Sequence, residues 1–219
     1  MSNYIKKLIE QGEHQQLDFK FSITDSRKIA RSLVAFANTE GGKLLVGVKD
    51  NGAIAGVRSD EEYYMIQAAA EVYSTPAVTF ETRVWQVEGR TVLEIIIPKS
   101  EDPPHFVNEI NNRLLSYVRV NDQNLLANSV MLKVWNKKKE KTTGTLIKFT
   151  VTEELLLNYL DSFQTITLSK FCRLAHIKRQ QAEDILVNFI LLDIIVIVFT
   201  EKLIYYRLNE NFDKSNIEY

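Results

Sequence analysis

A chain with only 8 glycines places Gly41, Gly42, Gly47 and Gly52 within one short stretch, VAFANTEGGKLLVGVKDNGAIAGV, Val34 to Val57. The stretch runs a small-residue helix end into a double glycine, an apolar strand, an Asp-Asn-Gly turn and a second short apolar run. A left-handed residue at Gly41 or Gly42 stops the helix, and Gly52 supplies the positive φ of a tight hairpin turn. Gly47 stands inside the strand pattern, where glycine marks the close approach of another backbone or a ligand.

The flanking segments predict an α+β domain with a mixed or antiparallel sheet and helices packed on it. Tyr4, Ile5, Leu8 and Ile9 recur at helical spacing, and Gly12 ends that helix. In QLDFKFS, Leu17, Phe19 and Phe21 alternate with Asp18 and Lys20, which predicts a strand with the two charged residues on its outer face. The segment TDSRKIARSLVAFAN predicts a capped helix, Lys43 to Val48 a strand, and Asp60 to Ser74 another helix. The runs AVTFETRVWQV and TVLEIIIP flank Glu88-Gly89-Arg90 as an antiparallel hairpin. A proline-led loop carrying His105 precedes the strand LLSYVRV, and a helix from Asn124 to Trp135 completes this part. His105 is read as a loop histidine packed on the domain, with a site role as the alternative.

Beyond the lysine- and threonine-rich NKKKEKTTGT the pattern changes to three helices, TEELLLNYLDSF, TLSKFCRLAHI and KRQQAEDILVNFILLDII, followed by two strands around Thr200-Glu201-Lys202. That order is that of a winged helix-turn-helix. The expected organisation is therefore residues 1–135 as the α+β domain, 136–145 as linker, 146–210 as a winged-helix domain and 211–219 as a tail.

Net charge is −1, so no global field draws the chain to nucleic acid or to a membrane. The one cysteine, Cys172, excludes an internal disulfide and reads as a small buried residue. The opening residues lack the apolar core of a signal peptide, and the longest apolar run, cut by Asp193, is too short for a bilayer. A cytoplasmic protein with no membrane partner is expected.

EHQQLDFKFS, VAFANTEGGKLLVGVKDNGAIAGV and PHFVNEINNRLLSYVRVNDQNLLAN, taken together and in this order, resemble the Schlafen-type Alba-like domain from about Glu13 to Asn128. In bacterial proteins such a domain precedes a winged helix, and the resemblance implies nucleic-acid binding, DNA above all, and transcriptional regulation. Some relatives carry an ATP-binding label, but no GxxxxGK[ST] phosphate loop occurs here. In animal Schlafens the related core is a ribonuclease with three carboxylates. Motif matching carries those roles to Glu13, Asp18 and Asp50, with Asp18 standing where the nuclease has a glutamate. Under that reading the three acids hold Mg²⁺ or Mn²⁺ and Lys20 meets a phosphate of RNA; otherwise no cofactor is expected. The animal enzymes pair two such lobes, so a homodimer is expected to supply the second.

The double glycine Gly41–Gly42 has a second candidate use as a backbone nest for phosphate. In the winged-helix part, Lys178, Arg179, Gln180 and Gln181 open the third helix, where lysine and arginine suit phosphates and glutamine suits adenine. The linker lysines Lys137, Lys138 and Lys139, with Lys133 and Lys141, are further phosphate candidates. Against this, 8 basic residues face 10 acidic ones from Thr143 onward, whereas a DNA reader is normally basic. A regulator that binds DNA is the leading expectation. A metal-dependent ribonuclease and a winged-helix assembly module are the alternatives.

Overall fold

The computed structural model describes residues 2–140 and 150–212, and the chain divides into two compact units, Met1–Ala127 and Asn128–Tyr219.

The first unit opens with α1 (Ser2–Gln11), which stops at Gly12 (φ 71°), whose N–H donates to the Ile9 carbonyl. Strand β1 (Leu17–Lys20) leads to α2 (Ser26–Asn38), capped by the Asp25 carboxylate through the N–H groups of Arg27 and Lys28. Then follow β2 (Gly42–Val46), α3 (Glu61–Glu71), β3 (Ser74–Thr75), β4 (Glu81–Val87) and β5 (Arg90–Ile97). The unit ends with β6 (Phe106–Asn108), β7 (Leu114–Leu115), β8 (Tyr117–Val120) and β9 (Gln123–Leu126). Its main sheet has the order β1-β2-β5-β4, with β1 and β2 parallel and the other pairs antiparallel. The expected α+β class with a mixed sheet is what forms.

Both faces of this sheet are covered. Leu17, Phe19, Leu45, Val87 and Val92 pack with Ile5 of α1 on one side. Leu44, Val46, Leu93, Ile95 and Ile97 pack with α2 and α3 on the other. Hence the alternation in QLDFKFS does not separate core from solvent: Asp18, on the second face, is only 3% exposed. The expectation of an outward Asp18 fails because α2 covers that face as α1 covers the first.

Gly41 (φ 71°) ends the α2 turn, and its N–H donates to the Phe36 carbonyl at 2.9 Å. That amide is committed inward, which leaves it unable to serve as the first donor of a phosphate nest. Gly47 (φ 93°) is where the chain crosses itself: a Cβ there would meet the backbone of Gly56 and Val57 at 2.9 Å, and the Gly47 carbonyl accepts from both Ala55 and Gly56 N–H groups. The Asp50–Gly52 turn is closed by the Gly52 N–H on the Lys49 carbonyl at 2.8 Å and the Lys49 N–H on the Ala53 carbonyl at 3.0 Å, and beyond it Val48 and Ile54 form an isolated bridge.

One boundary differs from expectation. Asn124 to Leu126 continue a hairpin, β8 to β9, because Asn121 takes a left-handed turn conformation (φ 55°). The following helix, α4 (Ser129–Lys139), starts at the Asn128 cap and, within the second unit, packs against the helix Arg179–Leu191. That second unit continues with α5 (Val151–Phe163), β10 (Thr165–Ile166), α6 (Leu168–Ala175), α7 (Arg179–Leu191), β11 (Ile195–Phe199) and β12 (Ile204–Leu208). Its sheet has the order β10-β12-β11. Phe171, Leu186, Phe189 and Tyr206 are the large side chains of its core. Among the described residues no helix is long and apolar enough to cross a membrane.

Candidate nucleic-acid interface and the buried polar centre

Asp18 sits in a closed polar ring. Lys20 Nζ lies 2.9 Å from Asp18 Oδ2, and Arg119 Nη2 lies 3.5 Å from Oδ1. Arg119 Nη1 donates to Asn124 Oδ1 at 3.1 Å, Asn124 Nδ2 donates to Ser32 Oγ at 2.9 Å, and Ser32 Oγ reaches Asp18 Oδ2 at 3.5 Å. Arg119 is 2% exposed, and its guanidinium rests 4.9 Å from the Phe36 ring centroid. The β8–β9 hairpin delivers both Arg119 and Asn124, and the Thr39 hydroxyl anchors it by accepting the Arg119 N–H. Arg119 also donates to the carbonyls of His14 and Leu17, on the edge of β1 that has no neighbouring strand.

Glu13 completes this edge. One of its oxygens accepts the Phe19 N–H at 2.8 Å, and the side chain hydrogen-bonds to Asp18. Burial first, then the hydrogen bond to Asp18, pushes the Glu13 carboxyl up to about 7. Asp18 moves the other way: burial opposes ionisation, but the Glu13 hydrogen bond and the charges of Lys20 and Arg119 hold it below the usual carboxylate range. The pair therefore shares a proton, with Glu13 as the protonated partner and Asp18 as the ionised one.

The three carboxylates of the nuclease resemblance are not brought together. Glu13 and Asp18 meet, whereas Asp50 is exposed in the turn after β2, and among the described residues no three His, Cys, Asp or Glu side chains form a group able to hold a metal. Asp18 already has two cations, and one Glu13 oxygen is taken by a backbone amide. These residues as arranged do not fit a divalent ion, which needs several free oxygens converging on one point. Lys20 also differs from expectation: its ammonium is spent on Asp18 and on the Phe19 carbonyl at 2.7 Å.

His105 is buried, with Nδ1 2.8 Å from the Pro76 carbonyl and Nε2 2.8 Å from Ser100 Oγ. Its N–H donates to Asn38 Oδ1 at 2.7 Å. It is a packing residue with all its polar atoms engaged.

In the second unit, Lys178, Arg179, Gln180 and Gln181 are exposed at the start of α7, which follows a left-handed turn at His176. Arg179 is tied back to Glu183, Nε to Oε1 at 2.9 Å. Lys133 and Lys137, on α4, are occupied as well. Lys133 pairs with Asp184 at 2.8 Å and Glu183 at 3.1 Å, and Lys137 donates to Asn188 Oδ1 at 3.0 Å. The expected linker is thus helical as far as Lys139, because its side chains find acceptors on α7. Lys138 and Lys139 are exposed near the end of α4, and Lys141 lies outside the described residues.

A family model for Schlafen, AlbA_2 matches residues 13–128. The chain belongs to the Schlafen AlbA_2 family. Membership points to a nucleic-acid-related function. The matched region covers the first unit from Glu13 through the β8–β9 hairpin and ends at the Asn128 cap. A second model, for the PCI domain, matches residues 132–196, in the second unit. No curated protein matches the chain. Among solved structures, the DIP2311 protein from Corynebacterium diphtheriae is similar at 21% identity and a TM-score of 0.44, over 68% of this chain. This chain covers only 30% of that one. The N-terminal domain of a protein from Nitrosomonas europaea described as related to the ATP-dependent DNA helicase RecG is similar at 18% identity and a TM-score of 0.37. That match spans 57% of this chain and 95% of the other.

The polar ring gave little signal in the sequence. Arg119 sits in an alternating YVRV run, where an arginine on the Tyr117 face is a sign of a buried acid elsewhere, but the run does not say which acid.

Proposed function

We propose that the protein is a DNA-binding transcriptional regulator whose second unit is a winged helix-turn-helix that reads duplex DNA with α7. The observation that carries this reading is the start of α7, where Lys178, Gln180 and Gln181 stand exposed and, among the described residues, carry no side-chain bond to the unit beneath them. The α6-turn-α7 order followed by the β11–β12 hairpin supports it. Arg179 contributes less in this reading, since Glu183 competes with phosphate for its guanidinium. The acidic excess of the region makes duplex affinity depend on this local patch, with Lys138 as an accessory contact. A homodimer presents two such helices to two half-sites, and light scattering tests that stoichiometry.

The test is fluorescence anisotropy with labelled duplex DNA across a salt series. Lys178→Ala is expected to weaken binding across all sequences and to lower the salt slope by about 1. Gln180→Ala with Gln181→Ala is expected to flatten sequence preference while leaving that slope unchanged. Duplex binding that is indifferent to all three changes overturns the assignment of α7.

A further inference from the structure

The crossing at Gly47 and Gly56 has an effect at the surface. It folds residues 47–57 back on themselves, so that Lys49, just beyond β2, and Arg58, just before α3, arrive at the same side chain: Phe21, immediately after β1. The Lys49 ammonium lies 5.5 Å from the Phe21 ring centroid and the Arg58 guanidinium 5.8 Å. Phe21 is 41% exposed, and both cations are exposed. The loop is held in place by backbone contacts: the Val57 N–H donates to the Thr91 carbonyl, and the buried Glu62 carboxylate accepts the N–H groups of Arg58 and Ser59.

Two features of this cluster point to a ligand. First, neither Lys49 nor Arg58 forms an ion pair with a carboxylate among the described residues, whereas Lys6, Lys20, Arg31, Lys133, Arg179 and Arg207 each do. Two like charges gathered at one ring repel each other, and an anion between them relieves that repulsion. Second, the ring they share is a partly exposed aromatic surface flanked by two cations, whereas the more exposed Phe163 stacks on Tyr159. A ligand that satisfies both features has a planar ring joined to a phosphate.

We propose that Phe21, Lys49 and Arg58 form a stacking site for single-stranded nucleic acid, with a base on the Phe21 ring and flanking phosphates on the two cations. The long side chains of Lys49 and Arg58 swing from the ring to the phosphates as the base arrives, exchanging a cation–π contact for a charge pair. Stacking is indifferent to base identity, so the site takes DNA or RNA strands without a sequence code. This inference rests on the nucleic-acid reading above but assigns a different unit and a different form of nucleic acid.

The experiment uses the full chain, labelled single-stranded oligonucleotides of deoxythymidine and of uridine, the same DNA strand with abasic positions, and the duplex. Phe21→Ala is expected to weaken single-strand binding by about 5- to 150-fold, the range of one lost base stack. Binding of the abasic strand is expected to change little with the same substitution. Lys49→Gln with Arg58→Gln is expected to reduce the single-strand salt slope by about 1.4, for two phosphates. Phe21→Trp adds a local reporter whose fluorescence is quenched when a base stacks. Thermal denaturation confirms that each variant is folded. Single-strand binding that Phe21→Ala leaves unchanged overturns the stacking site while duplex binding through Lys178 still stands. Loss of single-strand binding with intact duplex binding supports the stacking site and separates it from α7. No binding of any strand by the unaltered protein overturns both readings.

Discussion

Arg119 and Asp18 face each other across the buried edge of β1, Nη2 to Oδ1 at 3.5 Å, at 2% and 3% exposure. Two charges so far from water persist only because each is bonded from several sides: the carboxylate by Lys20 and Ser32, the guanidinium by Asn124 and two backbone carbonyls. Removing Arg119 leaves Asp18 buried with one of its two cations gone and leaves Asn124 and two backbone carbonyls without their donor. Arg119→Met is therefore expected to destabilise the protein by about 3–5 kcal/mol, measured by urea denaturation. Asp18→Asn keeps the shape and some hydrogen bonding, and is expected to cost less. Equal stability of Arg119→Met and the unaltered protein would falsify the view that this ring holds the hairpin to the sheet.

The Glu13 carboxyl, raised to about 7 in the fold, makes stability depend on pH in a definite direction. A carboxyl whose folded value lies above its unfolded value of 4.5 stabilises the protonated fold. That contribution is complete below pH 4.5 and is lost as pH rises through about 7. Asp18, held low, has the opposite sense: its contribution is present above 3.8 and is lost as pH falls through its folded value. Between pH 5 and 7 the Glu13 effect operates while that of Asp18 stays constant. Denaturation curves across that window are expected to show stability falling with pH, by on the order of 1 kcal/mol once solvent screening is allowed for. In Glu13→Gln, which cannot ionise, the slope is expected to vanish. A slope that survives the substitution assigns it to another group.

The elements of the first unit were legible where one residue decides a local conformation. The run Thr24-Asp25-Ser26 announced a cap for α2, which Asp25 supplies, Gly12 the end of α1, and Glu88-Gly89, both at positive φ, the tight turn from β4 to β5. What was not legible depends on the tertiary partner. Asp18 read as outward because period-two alternation reports one face and is silent about a second layer; only α2 lying over β1 made that face interior. The motif match carried Asp50 into the site, yet its turn leaves it exposed. Phe21 read as a core position in the same alternation, but β1 ends at Lys20, so the pattern had already lapsed.

Gly47 answers to geometry and not to flexibility. An alanine there must adopt φ 93° and place its Cβ 2.9 Å from the Gly56–Val57 backbone, which has no room to yield. Gly89 has a similar φ of 74° with open space around it. Gly89→Ala is expected to cost about 1–2 kcal/mol, the strain of the left-handed conformation alone. Gly47→Ala is expected to cost clearly more, and to weaken single-strand binding as well, because it displaces the loop that brings Lys49 and Arg58 to Phe21. Thermal denaturation of the two variants side by side separates strain from steric overlap, and equal shifts would remove the overlap argument.

Asn38, in the FANTEGG segment, ties three parts of the first unit with one side chain. Its Nδ2 lies 3.0 Å from the His105 carbonyl, Ser116 Oγ and the Tyr117 carbonyl, while its Oδ1 accepts the His105 N–H. Aspartate has the same shape but no N–H groups, so Asn38→Asp puts an acceptor oxygen where a donor stood, facing acceptors that remain buried. The expected cost is on the order of 3 kcal/mol, since unmet buried polar groups cost about 1–3 kcal/mol each and a charged one more. Asn38→Leu removes donor and acceptor together and is expected to fall between the two, because the His105 N–H then loses its partner but no charge is buried. Amide hydrogen exchange localises the effect: the N–H of His105, bonded directly to Asn38 Oδ1, is expected to exchange faster in Asn38→Leu, which removes its acceptor. Retained protection at His105 in Asn38→Leu would show that the side chain is not what fixes this loop.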